Sequence, residues 1–161
     1  MLLLTIALVI FTGLTAQEKI EVKDVNQPTS RGTQPGYSVF IKDATLENVT
    51  KKWGQLMKNE KAGDIFKNKE EKVKYEMKAG EYLAERTIVK DISNKYINTI
   101  AIISNTAGGV QLTAFFELDS VFISKQTLGK TYTDTRNFVR NFGVACYKDA
   151  VSAELAREEK N

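Results

Sequence analysis

The chain has 161 residues, 42% of them hydrophobic and 27% charged, with no His, one Cys, two Pro and a formal net charge of +3. That length fits one domain, and both fractions are those of an ordinary globular protein, which argues against a disordered chain and against a rod. The missing His removes the commonest general base and the commonest metal ligand, and a single Cys leaves no intrachain disulfide and no Cys-rich metal site.

Met1 to Ala16 (MLLLTIALVIFTGLTA) carries no charge and is almost wholly apolar. The run from Leu2 to Phe11 has the length of a signal-peptide apolar region and falls short of the roughly 20 residues of a membrane span. Gly13 and Ala16 supply small residues for a cleavage site, although a basic start is missing. Residues 1–16 are therefore expected to be a signal peptide and the mature chain to be exported, periplasmic or secreted. No later run is long and apolar enough to span a bilayer. The lysines Lys51, Lys52, Lys58, Lys67 and Lys72 are interleaved with Glu60, Asp64, Glu70 and Glu71. That is a solvated surface, not the basic stripe of a nucleic-acid reader, so nucleic acid is not an expected partner.

Residues 17–36 are polar and hold Pro28, Pro35, Gly32 and Gly36, which predicts a flexible leader ahead of a single domain over 37–161. Ile20, Val22 and Val25 offer at most a short edge strand. Tyr37, Val39 and Ile41 alternate with Ser38, Phe40 and Lys42, a strand of period two. A helix follows, with Thr45 as cap, Glu47 in its first turn and an apolar stripe of Leu46, Val49, Trp53, Leu56 and Met57; Lys61-Ala62-Gly63 is its expected stop. Asn48-Val49-Thr50 matches a glycosylation sequon but falls inside that helix. After a charged connection over 64–71, Lys72–Lys78 and Glu81–Val89 read as a hairpin turning at Ala79-Gly80, with Tyr82, Ala84 and Ile88 for burial. Tyr96–Ser104 and Val110–Leu118 form a second hairpin through Asn105-Thr106-Ala107-Gly108-Gly109. Phe115 breaks the pattern, because it lies on the polar face with Gln111, Thr113 and Glu117. Val121-Phe122-Ile123 extends that strand or adds a short one. A long helix over Thr133–Glu158, capped by Thr133 or Thr131, carries Val139, Phe142, Cys146, Ala150 and Ala153 on one stripe, and its tail overhangs the sheet.

The order strand, helix, four strands, helix predicts an α+β two-layer sandwich, a largely antiparallel sheet with the long C-terminal helix packed on it. That element order resembles TBP-like and helix-grip folds, in which a curved sheet wraps a long C-terminal helix. GEYLAERTIVKDISNKYINTIAIISNTAGGVQLTAFFELDSVFIS (Gly80–Ser124), with YSVFIKDATLENVTKKWGQLMK (Tyr37–Lys58) before it, resembles a group of small exported bacterial proteins without assigned activity. The resemblance implies export and a domain start near Tyr37, and no catalytic residues.

Catalytic machinery is not legible. Cys146 sits on an apolar helix stripe with no His to activate it, Ser120 lies outside any nucleophile elbow, and Gly108-Gly109 lacks phosphate-loop spacing. No catalytic, cofactor or metal residues are assigned and no cofactor is expected. Two functions remain. One is an exported, non-enzymatic, envelope-associated domain that binds a protein partner, with Phe40 and Phe115 as outward aromatics. The other is a helix-grip carrier of a lipid or small hydrophobic ligand, in a pocket lined by Trp53, Ile102, Phe138 and Phe142.

Overall fold

A computed structural model describes residues 20–58 and 73–160. The signal reading of 1–16, the helix stop at 61–63 and the charged connection of 64–71 lie outside the described residues. Among the described residues seven strands and two helices follow in order: β1 (Val22–Thr29), β2 (Gly32–Lys42), α1 (Leu46–Met57), β3 (Lys74–Lys78), β4 (Glu81–Thr87), β5 (Ile97–Thr106), β6 (Gly109–Leu118), β7 (Val121–Phe122) and α2 (Gly129–Glu158). The sheet order is β1-β2-β6-β5-β4-β3, with β7 also on β6, and each pairing is antiparallel. The expected α+β class and the long C-terminal helix packed on an antiparallel sheet are both present.

One face of the sheet carries both helices. Val39 and Ile41 from β2, Ala101 and Ile103 from β5, and Leu112, Ala114 and Phe116 from β6 are buried there with Val49, Trp53 and Met57 of α1 and Phe138, Val139 and Phe142 of α2. Period-two alternation in the strands and three-to-four spacing in the helices thus meet in one core. α1 begins where expected: the Asn48 N–H donates to the Thr45 hydroxyl at 3.3 Å. It ends at Met57, and of its expected stripe Leu56 is exposed. α2 starts four residues earlier than Thr133, after Leu128, with no side-chain cap. Thr131 and Thr133 are therefore inside the helix, not its caps. α2 lies close on β2, since a Cβ added at Gly143 would stand 3.0 Å from Val39 Cγ2. Within β4 the register slips between Ala84 and Thr87, with Arg86 at φ 59°. The bulge turns Thr87 and Val89 into the core, leaving Ile88 half-buried.

Residues 17–36 are not a flexible leader as far as they are described. From Val22 to Gly36 they form β1 and the first part of β2, paired residue by residue from Val22↔Val39 to Thr29↔Gly32. Proline is compatible with an edge strand, which is where Pro28 sits. β2 pairs with β6 only from Tyr37 to Lys42, and past Ala114 the place beside β6 is taken by β7. The hairpin leaves the sheet at Gly36 and crosses its second face. Its tip reaches β4, where the Ser30 N–H donates to Glu81 Oε1 at 2.8 Å and the Arg31 guanidinium meets Glu85 at 3.6 Å. Arg31 also pairs with Glu117 of β6. Two inter-strand spacings separate β6 from β4, about 10 Å, well within the reach of five extended residues.

Candidate functional site

The layer between sheet and α2 is the first place to look for a ligand. Trp53 meets Phe142 edge-on with ring centroids 5.2 Å apart, Phe138 at 6.4 Å and Phe116 at 6.3 Å; Phe116 in turn meets Phe138 at 5.8 Å. Three of the four expected pocket residues, Trp53, Phe138 and Phe142, therefore converge, and they do so on one another. Such edge-to-face contacts are favourable arrangements of aromatic pairs. Ile102 does not join them. Its neighbours Ala101 and Ile103 face the helices, so strand alternation sends Ile102, paired with Thr113, to the opposite face. One polar atom in the layer stands out: Trp53 Nε1 is buried with no hydrogen-bond partner.

The two expected outward aromatics part company. Phe40 is 40% exposed, beside Ile20, Lys23, Gln111 and Tyr147 at the rim of a groove of about 340 Å³. Phe115 is fully buried, and so is no partner surface. The β1–β2 hairpin lies over it so closely that a Cβ at Gly36 would come within 2.5 Å of its ring. Ile100, paired with Phe115 across β5 and β6, is buried on the same side. The polar-face Phe is thus the centre of a second, small apolar cluster under the hairpin.

A larger groove, about 530 Å³, lies between the start of α1 and the outer half of α2. Val49, Cys146, Ala150 and Ala153 supply its apolar part, and Asp43, Asn48, Asp149 and Arg157 its polar part. It exists because α2 continues beyond the sheet. Thirty helical residues extend about 45 Å, and those from 151 onward are exposed. Lys52 of α1 braces the two helices through Asp149 at 2.5 Å. The overhang was foreseeable from helix length. The polar wall was not, because it sets Asp43 of the β2–α1 connection and Asn48 of α1 opposite Asp149 and Arg157 of α2, about a hundred positions later in the chain. Burial pushes the Cys146 thiol up to about 12, with Asp149 adding to the shift and Lys52 opposing it. A neutral, buried thiol is a packing group, not a nucleophile.

A clamp also fastens the first strand to α2. Tyr132 donates to Asp24 Oδ2 and Arg136 to Asp24 Oδ1, both at 2.6 Å, and Arg136 reaches the Val22 carbonyl at 2.6 Å. Its function is to hold β1 in place, and sequence reading missed it by treating Asp24 as part of a loose leader. Asp119 and Ser120 form the turn between β6 and β7, both with positive φ. Among the described residues no group of three His, Cys, Asp or Glu could hold a metal ion, and no helix is long and apolar enough to cross a membrane. Compared with family models, with curated proteins and with solved structures, the chain finds no match in any of the three.

Proposed function

We propose that the chain is an exported, non-enzymatic domain that binds a protein partner through the groove between the start of α1 and the outer half of α2. The observation that carries this reading is the groove itself: a long open trough with an apolar floor and a charged rim, built on helix that the sheet does not need. Apolar floors with a few polar groups at the edge are how binding grooves gain affinity and orientation. Ala150→Trp would fill the groove from its half-buried floor. A photo-cross-linker placed at Ala153 in the native host is expected to give a defined adduct from the envelope or medium fraction, lost in the Ala150→Trp variant. Absence of the adduct, or an adduct indifferent to Ala150→Trp, retires the reading. Recovery of the chain only from the cytosolic fraction, unprocessed, retires export.

A second reading, a carrier of a lipid or small hydrophobic ligand, draws on one atom. The Trp53 indole N–H is buried without a partner, and an oxygen-bearing ligand between sheet and α2 would satisfy it. It requires the four packed rings to separate. Native mass spectrometry of protein from its own host tests this: a bound mass lost in Trp53→Phe supports it, and ligand-free protein removes it.

A further inference from the structure

We infer that the outward face of the overhanging half of α2 is a pairing surface for a second copy of this chain, with the two helices antiparallel. The core face of α2 is marked by Phe138, Val139, Phe142 and Cys146. At 3.6 residues per turn, Lys148, Val151, Leu155 and Glu158 fall on the opposite side. All four are exposed, Val151 at 36% and Leu155 at 55%. Their spacing of three, four and three residues is the seam of a helix pair.

The order of chemistry along this seam identifies the occupant. It runs cation, apolar, apolar, anion. Two copies laid antiparallel, with the two-fold axis level with Ala153, set Val151 against the partner's Leu155 and Lys148 against the partner's Glu158. Symmetry makes each contact twice. A parallel pair in register would oppose Lys148 to its own copy and Glu158 to its own copy, which like-charge repulsion disfavours. The seam is thus complementary to itself in one orientation. It is also open to a second molecule, because all four residues are exposed and lie opposite the core face; Val151, Leu155 and Glu158 border the groove as well, so a second copy seated here also covers that edge of it. From Lys148 to Glu158 the overlap is about 15 Å long. That is much shorter than an interface of the usual ~800 Å² per partner requires, so the dimer is weak and depends on concentration. The charged ends make it weaken with salt.

Sedimentation equilibrium on the full chain at low salt, from about 10 µM to about 1 mM, spans the expected dissociation range. The expected result is a reversible monomer–dimer equilibrium. Lys148→Glu alone, or Glu158→Lys alone, replaces both opposite-charge contacts by like-charge contacts and should raise the dissociation constant about tenfold. The double variant Lys148→Glu/Glu158→Lys should return it close to its starting value. Both positions are solvent-exposed on helix, so circular dichroism should be unchanged. A monomer at every concentration overturns the inference, whether or not another protein binds this face. So does association that ignores single charge reversal, or that the double variant fails to restore.

Discussion

At Gly36 the absence of a side chain decides how the second face of the sheet is covered. A methyl group there would stand 2.5 Å from Cε1 and 2.6 Å from Cδ1 of Phe115, far inside contact distance. The ring is fully buried and has no room to swing away. Gly36→Ala is therefore expected to destabilise the fold by about 1–3 kcal/mol, the usual cost of overpacking. Phe115→Leu should relieve part of the clash, so the double variant should lose less than the sum of the two single losses in urea denaturation. Additive losses would mean that the hairpin and the ring do not press on each other. Phe115 was legible as a break in the alternation of β6, and outward exposure was the reading that alternation alone supports. Its cover comes from 79 positions earlier in the chain. Nothing in the local pattern around Gly36 distinguishes a loose, proline-bearing leader from a strand that must pass over an aromatic ring.

Between elements, the β1–β2 hairpin is held by unlike contacts along its length. Its base is bound by the ladder to β6 and by the Asp24–Tyr132–Arg136 clamp, and its tip by polar contacts to β4 and β6. Arg31 is 40% exposed and Glu85 42%, so that pair is a surface pair worth at most about 1 kcal/mol, while the pair with Glu117 joins the same exposed guanidinium to a carboxylate that is 14% exposed. Glu81 is 7% exposed, and one of its oxygens holds the Ser30 N–H while the other has no partner. Loss of Glu81 therefore strips the tip of its buried acceptor, whereas loss of Arg31 removes ion pairs whose cationic end is solvated and leaves Glu117 its hydrogen bond from Asn98. Hydrogen exchange at the tip amides should accelerate in Glu81→Ala more than in Arg31→Ala, while the thermal midpoint of the whole domain moves little in Arg31→Ala. Equal acceleration in both variants would place the hold in the ion pairs instead. Elements with strong periodicity, α1, β5, β6 and the body of α2, were readable from their own residues. The hairpin was not, because Val22-Lys23-Asp24-Val25-Asn26-Gln27-Pro28-Thr29 is held by tertiary partners, not by a repeating apolar face. The start of α2 was misplaced for a related reason: two good capping threonines lie inside a helix that begins without a side-chain cap.

For the molecule as a whole, the absence of His leaves neutral pH without a side chain whose ordinary titration falls there, and the pH response moves to the alkaline side. Burial raises the Cys146 thiol from 9.0 to about 12 and the Tyr75 phenol from 10.0 to about 12, and it raises the Tyr37 phenol, next to Asp24, further still. Each group holds its proton more tightly in the folded state than in the unfolded one. The folded chain therefore binds more protons than the unfolded chain once the pH exceeds the unfolded values, and stability falls as pH rises. These contributions are fully present below pH 9.0, begin to be lost there through Cys146, and steepen above 10.0 as the tyrosines join. Cys146→Ala removes the earliest of them and leaves a small residue on a stripe that already holds Ala150 and Ala153. Its urea midpoint should lie slightly below that of the parent at pH 7 to 8 and decline later as the solution is made alkaline. The gap should narrow between pH 9.0 and about 12, the interval over which the thiol titrates in one state and not the other. Parallel curves for parent and variant would show a thiol that ionises as easily folded as unfolded. Such a thiol would be open to solvent through the groove, and the tight contact of α2 with β2 around Gly143 would then have to loosen toward the end of the helix.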